Sequence, residues 1–205
     1  MQHERTGSVP VVRKPYDMDT LGAPFKVILH SGVEFGVDKQ TGEETVKIPD
    51  TIGLINAVVR ARVCHKRKLN GSELKFIRKA LGVKAKIIAE FLDMTAEHFS
   101  RCESGQKVMS AQAEKLFRMA AFSSSFLKNP EDMFNRNIAA TDMPMPTNVT
   151  KKAVDSAIDL VKSFITMKIE AFHSPSEKLV FHFWRRKGPE CVADDEDNWS
   201  DRAAA

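Results

Sequence analysis

The stretch LGVKAKIIAEFLDMTAEHFSRCESG, residues 81–105, decides the fold. It reads as two short helices around a tight turn. The first covers about Lys84–Leu92, with Ile88, Ala89 and Leu92 apolar; the second covers about Ala96–Glu103, with Phe99 and Cys102 apolar. Asp93-Met94-Thr95 leaves room only for a sharp corner, and Thr95 is placed to cap the second helix by accepting a backbone N–H bond. The small Ala89 lets the two helices approach closely at that corner. A unit of this kind can present one helix to the major groove of DNA.

The flanking sequence extends the helical pattern. Asn70-Gly71-Ser72-Glu73 reads as a capping box, with Asn70 capping and Glu73 reaching back. The helix that follows, about Gly71–Leu81, has Leu74, Ile77 and Leu81 on its inner face, and Gly82 stops it where a left-handed backbone is needed. Gly105 closes the second motif helix in the same way. Ser110 is expected to cap a helix over about Ala111–Phe122, with Ala113, Leu116, Phe117 and Ala120 inward. A helical domain is therefore set at residues 69–127. All three of Gly71, Gly82 and Gly105 are accounted for by turns and caps.

Residues 1–22 read as a flexible N-terminus. Residues 23–68 read as a β-hairpin plus a helix. FKVIL (25–29), VEFGV (33–37) and ETVKI (44–48) are β-prone, with a turn at residues 38–42. Thr51–Val63 is expected to be helical, with Ile52, Ile55, Val59 and Val63 on one face. Residues 128–150, rich in Pro, Asn, Thr and Met, read as a linker. Residues 151–187 hold a C-terminal helix and strand. In the helix, Val154, Ile158, Val161 and Ile165 recur at spacings of four, three and four, a two-heptad seam that suits either its own domain or a dimer. The strand, KLVFHFWR (178–185), is expected to pair with the N-terminal strands. Residues 188–205 form an acidic tail, expected to be disordered. The fold class is thus α+β, mainly helical, with small β segments at both ends.

Composition bounds the function. The 205 residues are 42% hydrophobic and 28% charged, as in an ordinary soluble protein. No apolar run approaches the roughly 20 residues of a membrane span, and MQHERTGSVPVVRKPYD has no secretory h-region. Cys64, Cys102 and Cys191 are widely spaced and odd in number, which argues against a disulfide framework and for a reducing cytoplasm. No CxxC or His/Cys cluster suggests zinc, so neither metal nor cofactor is expected. Cys102 with His98 at i, i+4 reads as core packing rather than a ligand pair. No nucleophile–base pair or phosphate-binding glycine loop is present, so no enzyme is expected. Between Arg60 and Lys86 there are ten Lys/Arg against one acid, Glu73, whereas Glu190–Asp201 holds six acids and no Lys/Arg. Beside the helical pair, such a basic block suits phosphate contact.

Residues Glu73, Phe76-Ile77-Arg78-Lys79, Leu81-Gly82, Ala89, Leu92, Thr95, Ser100-Arg101, Glu103 and Gly105 give Leu69–Ala121 a resemblance to lambda-repressor-like (Xre-type) helix-turn-helix domains. With the upstream strand pair ending in Ile48-Pro49, a helix and LNGSELKFIRKALG, the chain is similar to regulators related to the MqsA and HigA antitoxins. The MqsA pattern has CxxC zinc pairs in its N-terminal segment; this chain has no cysteine there, so no metal is inferred. The resemblance implies a recognition helix whose Ala96, Glu97, Ser100 and Arg101 face base edges. Arg101 would bond guanine N7 and O6, and Glu97 a cytosine amine; Glu97 also suits a helix N-terminus as an acid facing the dipole. Phosphate contacts would come from Lys84, Thr95, His98, Ser104, Gln106 and Lys107. The family often has Gln where this chain has Ala85, and Lys84 or Lys86 would take over that backbone contact. Arg78 and Glu103 match a structural salt bridge. Lys66, Arg67 and Lys68 either reach a neighbouring phosphate or lie in a solvated linker. The partners implied are double-stranded DNA with an inverted repeat and a second copy of the chain. A toxin protein is the alternative partner, as for an antitoxin that autorepresses its operon.

Overall fold

The computed structural model describes residues 15–38, 40–134, 150–171, 179–185 and 199–201. It begins with β1 (Tyr16–Asp17), a 3₁₀ turn (Asp19–Leu21), β2 (Lys26–Leu29) and the hairpin β3 (Glu34–Val37) and β4 (Glu44–Lys47). Five helices follow: α1 (Thr51–Cys64), α2 (Gly71–Ala80), α3 (Ala85–Phe91), α4 (Ala96–Glu103) and α5 (Ala111–Ser124). A 3₁₀ turn (Pro130–Phe134), α6 (Lys151–Thr166), β5 (Val180–Arg185) and β6 (Trp199–Ser200) complete the order. The class is α+β.

Helix starts and stops follow the sequence closely. The Asn70 side chain accepts from Glu73 N at 2.9 Å, and Glu73 Oε2 accepts from Asn70 N at 2.8 Å, the reciprocal capping box. Thr95 and Ser110 cap α4 and α5 through His98 N (3.1 Å) and Ala113 N (3.2 Å). Gly82 and Gly105 sit at φ 69° and 77°, as chain reversal after α2 and α4 requires. Gly71 has a different reason. A Cβ there would lie 2.5–2.7 Å from Glu103 O, Cys102 O and Gly105 N, so glycine lets the start of α2 touch the end of α4 backbone to backbone. Gly71→Ala is expected to cost about 1–3 kcal/mol by overpacking, read as a lower urea midpoint at unchanged slope.

Two cores share α1. One face gives Leu54, Ala57, Val58 and Ala61 to a core with Val27, Leu29, Phe183 and Trp199; another gives Val59 and Val63 to the helical core of Leu74, Ile77, Ile88, Phe99 and Phe117. The expectation of one apolar face was too narrow: α1 is buried on several sides, and Ile52 at its solvent end is 75% exposed. Leu116 also faces outward, while Phe117, Ala120 and Ala121 fill the core. Phe25 stacks edge-on against Phe76 at 5.5 Å and joins the two cores.

The sheet runs β1-β2-β5-β6, with β2 and β5 parallel and Val27 opposite Phe181. The C-terminal strand therefore does pair with the N-terminal one. Three boundaries need correction. Residues 16–21 are not a loose terminus, because Tyr16 and Asp17 pair with Leu29 and Ile28; residues 1–14 lie outside the described set. The start of the supposed linker belongs to the helical core, where Phe134 is buried and meets Phe91 edge-on at 5.3 Å; residues 135–149 lie outside the described set. Part of the acidic tail is also structural. Trp199–Ser200 forms β6, with Trp199 buried and donating from Nε1 to Asp50 O at 3.1 Å.

A polar clamp ties the connection between α1 and α2. Arg62 binds Glu73 twice (2.7 and 2.8 Å) and donates to Arg67 O and Lys68 O. Arg118 binds Glu114 and donates to the carbonyls of Val63, His65 and Arg67. Glu114 further accepts from Leu69 N and Lys68 Nζ. Every member of both ion pairs is 0–3% exposed at the side chain. Burial holds Arg118 below its usual range, opposed in part by the charge and hydrogen bond of Glu114.

Candidate nucleic-acid interface

The corner between α3 and α4 is built by backbone geometry. Asp93 takes a left-handed conformation, φ 54°, so that its N–H bonds Glu90 O (3.2 Å) and Met94 N–H bonds Ala89 O (2.8 Å). This pair of bonds closes α3 as glycine does elsewhere, with a short polar side chain tolerating the strained region. Ile88, Ala89, Leu92, Phe99 and Cys102 are buried between the helices and the core, as the periodicity required. Burial also pushes the Cys102 thiol up, against a smaller pull from Lys107, so it stays a neutral core group. Among the described residues no three His, Cys, Asp or Glu side chains converge.

What α4 leaves outside is the expected base-reading set. Ala96, Glu97, Ser100 and Arg101 are all exposed on it. Arg101 pairs with Glu97 one turn earlier, at 49% and 73% side-chain exposure. Such an exposed pair is worth little. In this pair Glu97 Oε1 accepts from Arg101 Nη2 one helical turn along α4.

The expected phosphate set divides in space. Thr95 and half-buried His98 lie at the start of α4 and line a cleft of about 590 Å³ with Ser110 and Gln112 from the start of α5. The helix starts point free backbone amides there, which suits an anion. Ser110 and Gln112 were not anticipated; only the three-dimensional approach of α5 brings them in. Lys84 is exposed at the start of α3, and Lys86 is exposed with Glu90 at 3.8 Å. Ser104, Gln106 and Lys107 are exposed after the other end of α4, where the Ser104 hydroxyl donates to Arg101 O at 3.1 Å.

The basic block is largely answered within the fold. Arg62 is bound by Glu73, Lys68 by Glu114 (2.9 Å), Arg78 by Glu103 (2.7 and 3.2 Å) and Lys66 by Glu170 (2.7 Å), while Arg67 is 9% exposed. Arg67 and Lys68 are thus held within the fold rather than in a solvated linker, while Lys66 keeps a 64% exposed side chain in a surface pair. Lys68 N also bonds Glu170 O at 2.8 Å. The Arg78–Glu103 pair links α2 to α4, with Arg78 also donating to Val83 O. Of these contacts the Arg78–Glu103 pair is the one that fixes the posture of α4.

No protein-family model, no curated protein and no solved structure matches this chain. The geometry of the α3–α4 pair and its exposed side chains therefore carries the functional reading alone.

One neighbour of the clamp is a histidine whose protonation couples to folding. Burial first, then the charges of Arg62, Arg67 and Arg118, hold His65 below its ordinary value of 6.5. Its Nδ1 accepts from Arg67 N at 3.2 Å, a bond that needs the unprotonated nitrogen. The unfolded chain takes up this proton at a higher pH than the folded one. Stability is therefore expected to fall as pH drops below 6.5 and to level off below the folded value. Urea midpoints across pH 5–7.5 check this, and His65→Gln should flatten that part of the profile.

Proposed function

We propose that this chain is a sequence-specific DNA-binding transcriptional regulator, a repressor that works in the cytoplasm by covering promoter DNA. The single observation behind this reading is the outer face of α4: Ala96, Glu97, Ser100 and Arg101 exposed on a capped helix. That helix is seated by the Arg78–Glu103 pair and the Gly71 contact. The α3–α4 pair acts as a helix-turn-helix of the lambda-repressor-like kind, with α4 in the major groove. Arg101 leaves Glu97 for guanine, and the cleft between α4 and α5 takes a backbone phosphate. Two copies on an inverted repeat place two α4 helices about one helical turn apart on one DNA face. Fluorescence anisotropy with duplex DNA tests this. Affinity should fall at least ~100-fold between 50 and 200 mM salt, as release of several phosphate counterions demands. Binding that ignores salt contradicts the reading.

One observation favours a second reading, an antitoxin that also represses its operon. One face of the β3–β4 hairpin exposes Val37 and Val46 with Glu44, next to the turn acids Asp38 and Glu43, an acidic and apolar surface unsuited to DNA but fit for a basic protein; Glu34 lies on the other face, paired with Lys47 at 3.9 Å. Stoichiometric copurification of a small basic protein, lost when Val37 and Val46 become serine, supports that reading.

A further inference from the structure

Among the described residues, α6 is anchored at one end only. Phe164 is buried and meets Phe122 at 5.7 Å, and Lys115 Nζ donates to Ile165 O at 2.6 Å. Residues 151–159 are exposed throughout. The seam Val154, Ile158, Val161 and Ile165 is 42, 44, 41 and 62% exposed, so the described part of its own domain does not cover it. A 16-residue helix with this stripe open to water is marginal by itself. The apolar surface continues through Phe122 to half-exposed Phe126, 5.3 Å away.

We propose that the occupant is α6 of a second copy, packed antiparallel. The charges beside the seam select this arrangement. With the partner helix reversed, Val154 faces Ile165 of the second copy and Ile158 faces its Val161, giving four closed apolar layers. Asp155 and Lys162 flank the seam on the same side, one heptad apart, and both are exposed. Reversal puts each Asp155 beside Lys162 of the other copy, forming two symmetric ion pairs. Parallel packing instead sets Asp155 against Thr150 and Lys162 against Ala157, and brings the two Lys151-Lys152 pairs together at one end. The twofold axis then crosses α6 between Ile158 and Val161, an isologous contact that closes on itself. This deepens the inverted-repeat reading, which needs two copies, but it is tested without DNA, so either can fail alone.

Two experiments on the full chain, with Cys64 and Cys191 changed to serine, decide it. Sedimentation equilibrium should show a monomer–dimer equilibrium that Asp155→Lys weakens at least ~10-fold and that added Lys162→Asp restores to within ~3-fold. Oxidising a mixture of the Val154→Cys and Ile165→Cys proteins should give disulfides between the two species and none within either. Residues 154 of an antiparallel pair lie far beyond the roughly 7 Å a disulfide bridges. Circular dichroism of each variant confirms folding. A wild type that stays monomeric at tens of micromolar, a charge swap that does not restore pairing, or Val154→Cys bridging to itself overturns the proposal.

Discussion

Replacing Glu114 with alanine is expected to cost about 3–5 kcal/mol, a large part of the stability of a domain this size. Its carboxylate accepts from Arg118 Nε and Nη2, Lys68 Nζ and Leu69 N, at 2.8–3.1 Å. Without it, Arg118 at 0% exposure keeps only three carbonyl partners, and the buried Leu69 N–H keeps none of these bonds. The loss comes from stranding charge and a donor, so it exceeds what the ion pair contributes by itself. Glu114→Gln keeps an acceptor and should lose markedly less. Urea unfolding followed by circular dichroism measures both. A loss under about 1 kcal/mol for Glu114→Ala would mean that water reaches the clamp.

Arg101→Ala is expected to weaken specific DNA binding about 10–100-fold, or roughly 1–3 kcal/mol, and to relax preference at one base pair per half-site. Stability should stay within about 0.5 kcal/mol, because the side chain is half exposed and its partner Glu97 is an exposed neighbour on the same helix. Competition titrations with specific and random duplexes separate the two terms. An equal loss on both would make Arg101 a phosphate contact, and no loss on either would place the base-reading face elsewhere.

The parts legible in the sequence are those dictated by local chemistry. Asn70, Thr95 and Ser110 announce their helices because a capping oxygen acts within three residues. Ile88, Ala89, Leu92, Phe99 and Cys102 announce the inner faces of the helical pair because helical spacing leaves them one side to share. The errors arose where distant segments meet. Ten cations between Arg60 and Lys86 look like a ligand surface in one dimension. Several of their partners, Glu103, Glu114 and Glu170, lie outside that window and fold onto it. Gly71 reads as a turn residue until the end of α4 is laid against it. Phe134 and Trp199 sit in polar, turn-rich or acidic surroundings, yet the cores take them in because each buries a large aromatic surface. Helix α1 misled for a related reason: covered by both the sheet and the helices, it has no single face for a periodicity argument to find.

The most direct test of the central claim, that α4 reads base edges through Arg101, is selection from a random duplex pool followed by methylation interference on the enriched site. The account predicts an inverted repeat with half-sites about one turn apart, and a guanine in each whose N7 methylation blocks the wild-type protein but not Arg101→Ala. A pool that never enriches, or a site whose guanine methylation affects both proteins alike, would contradict it.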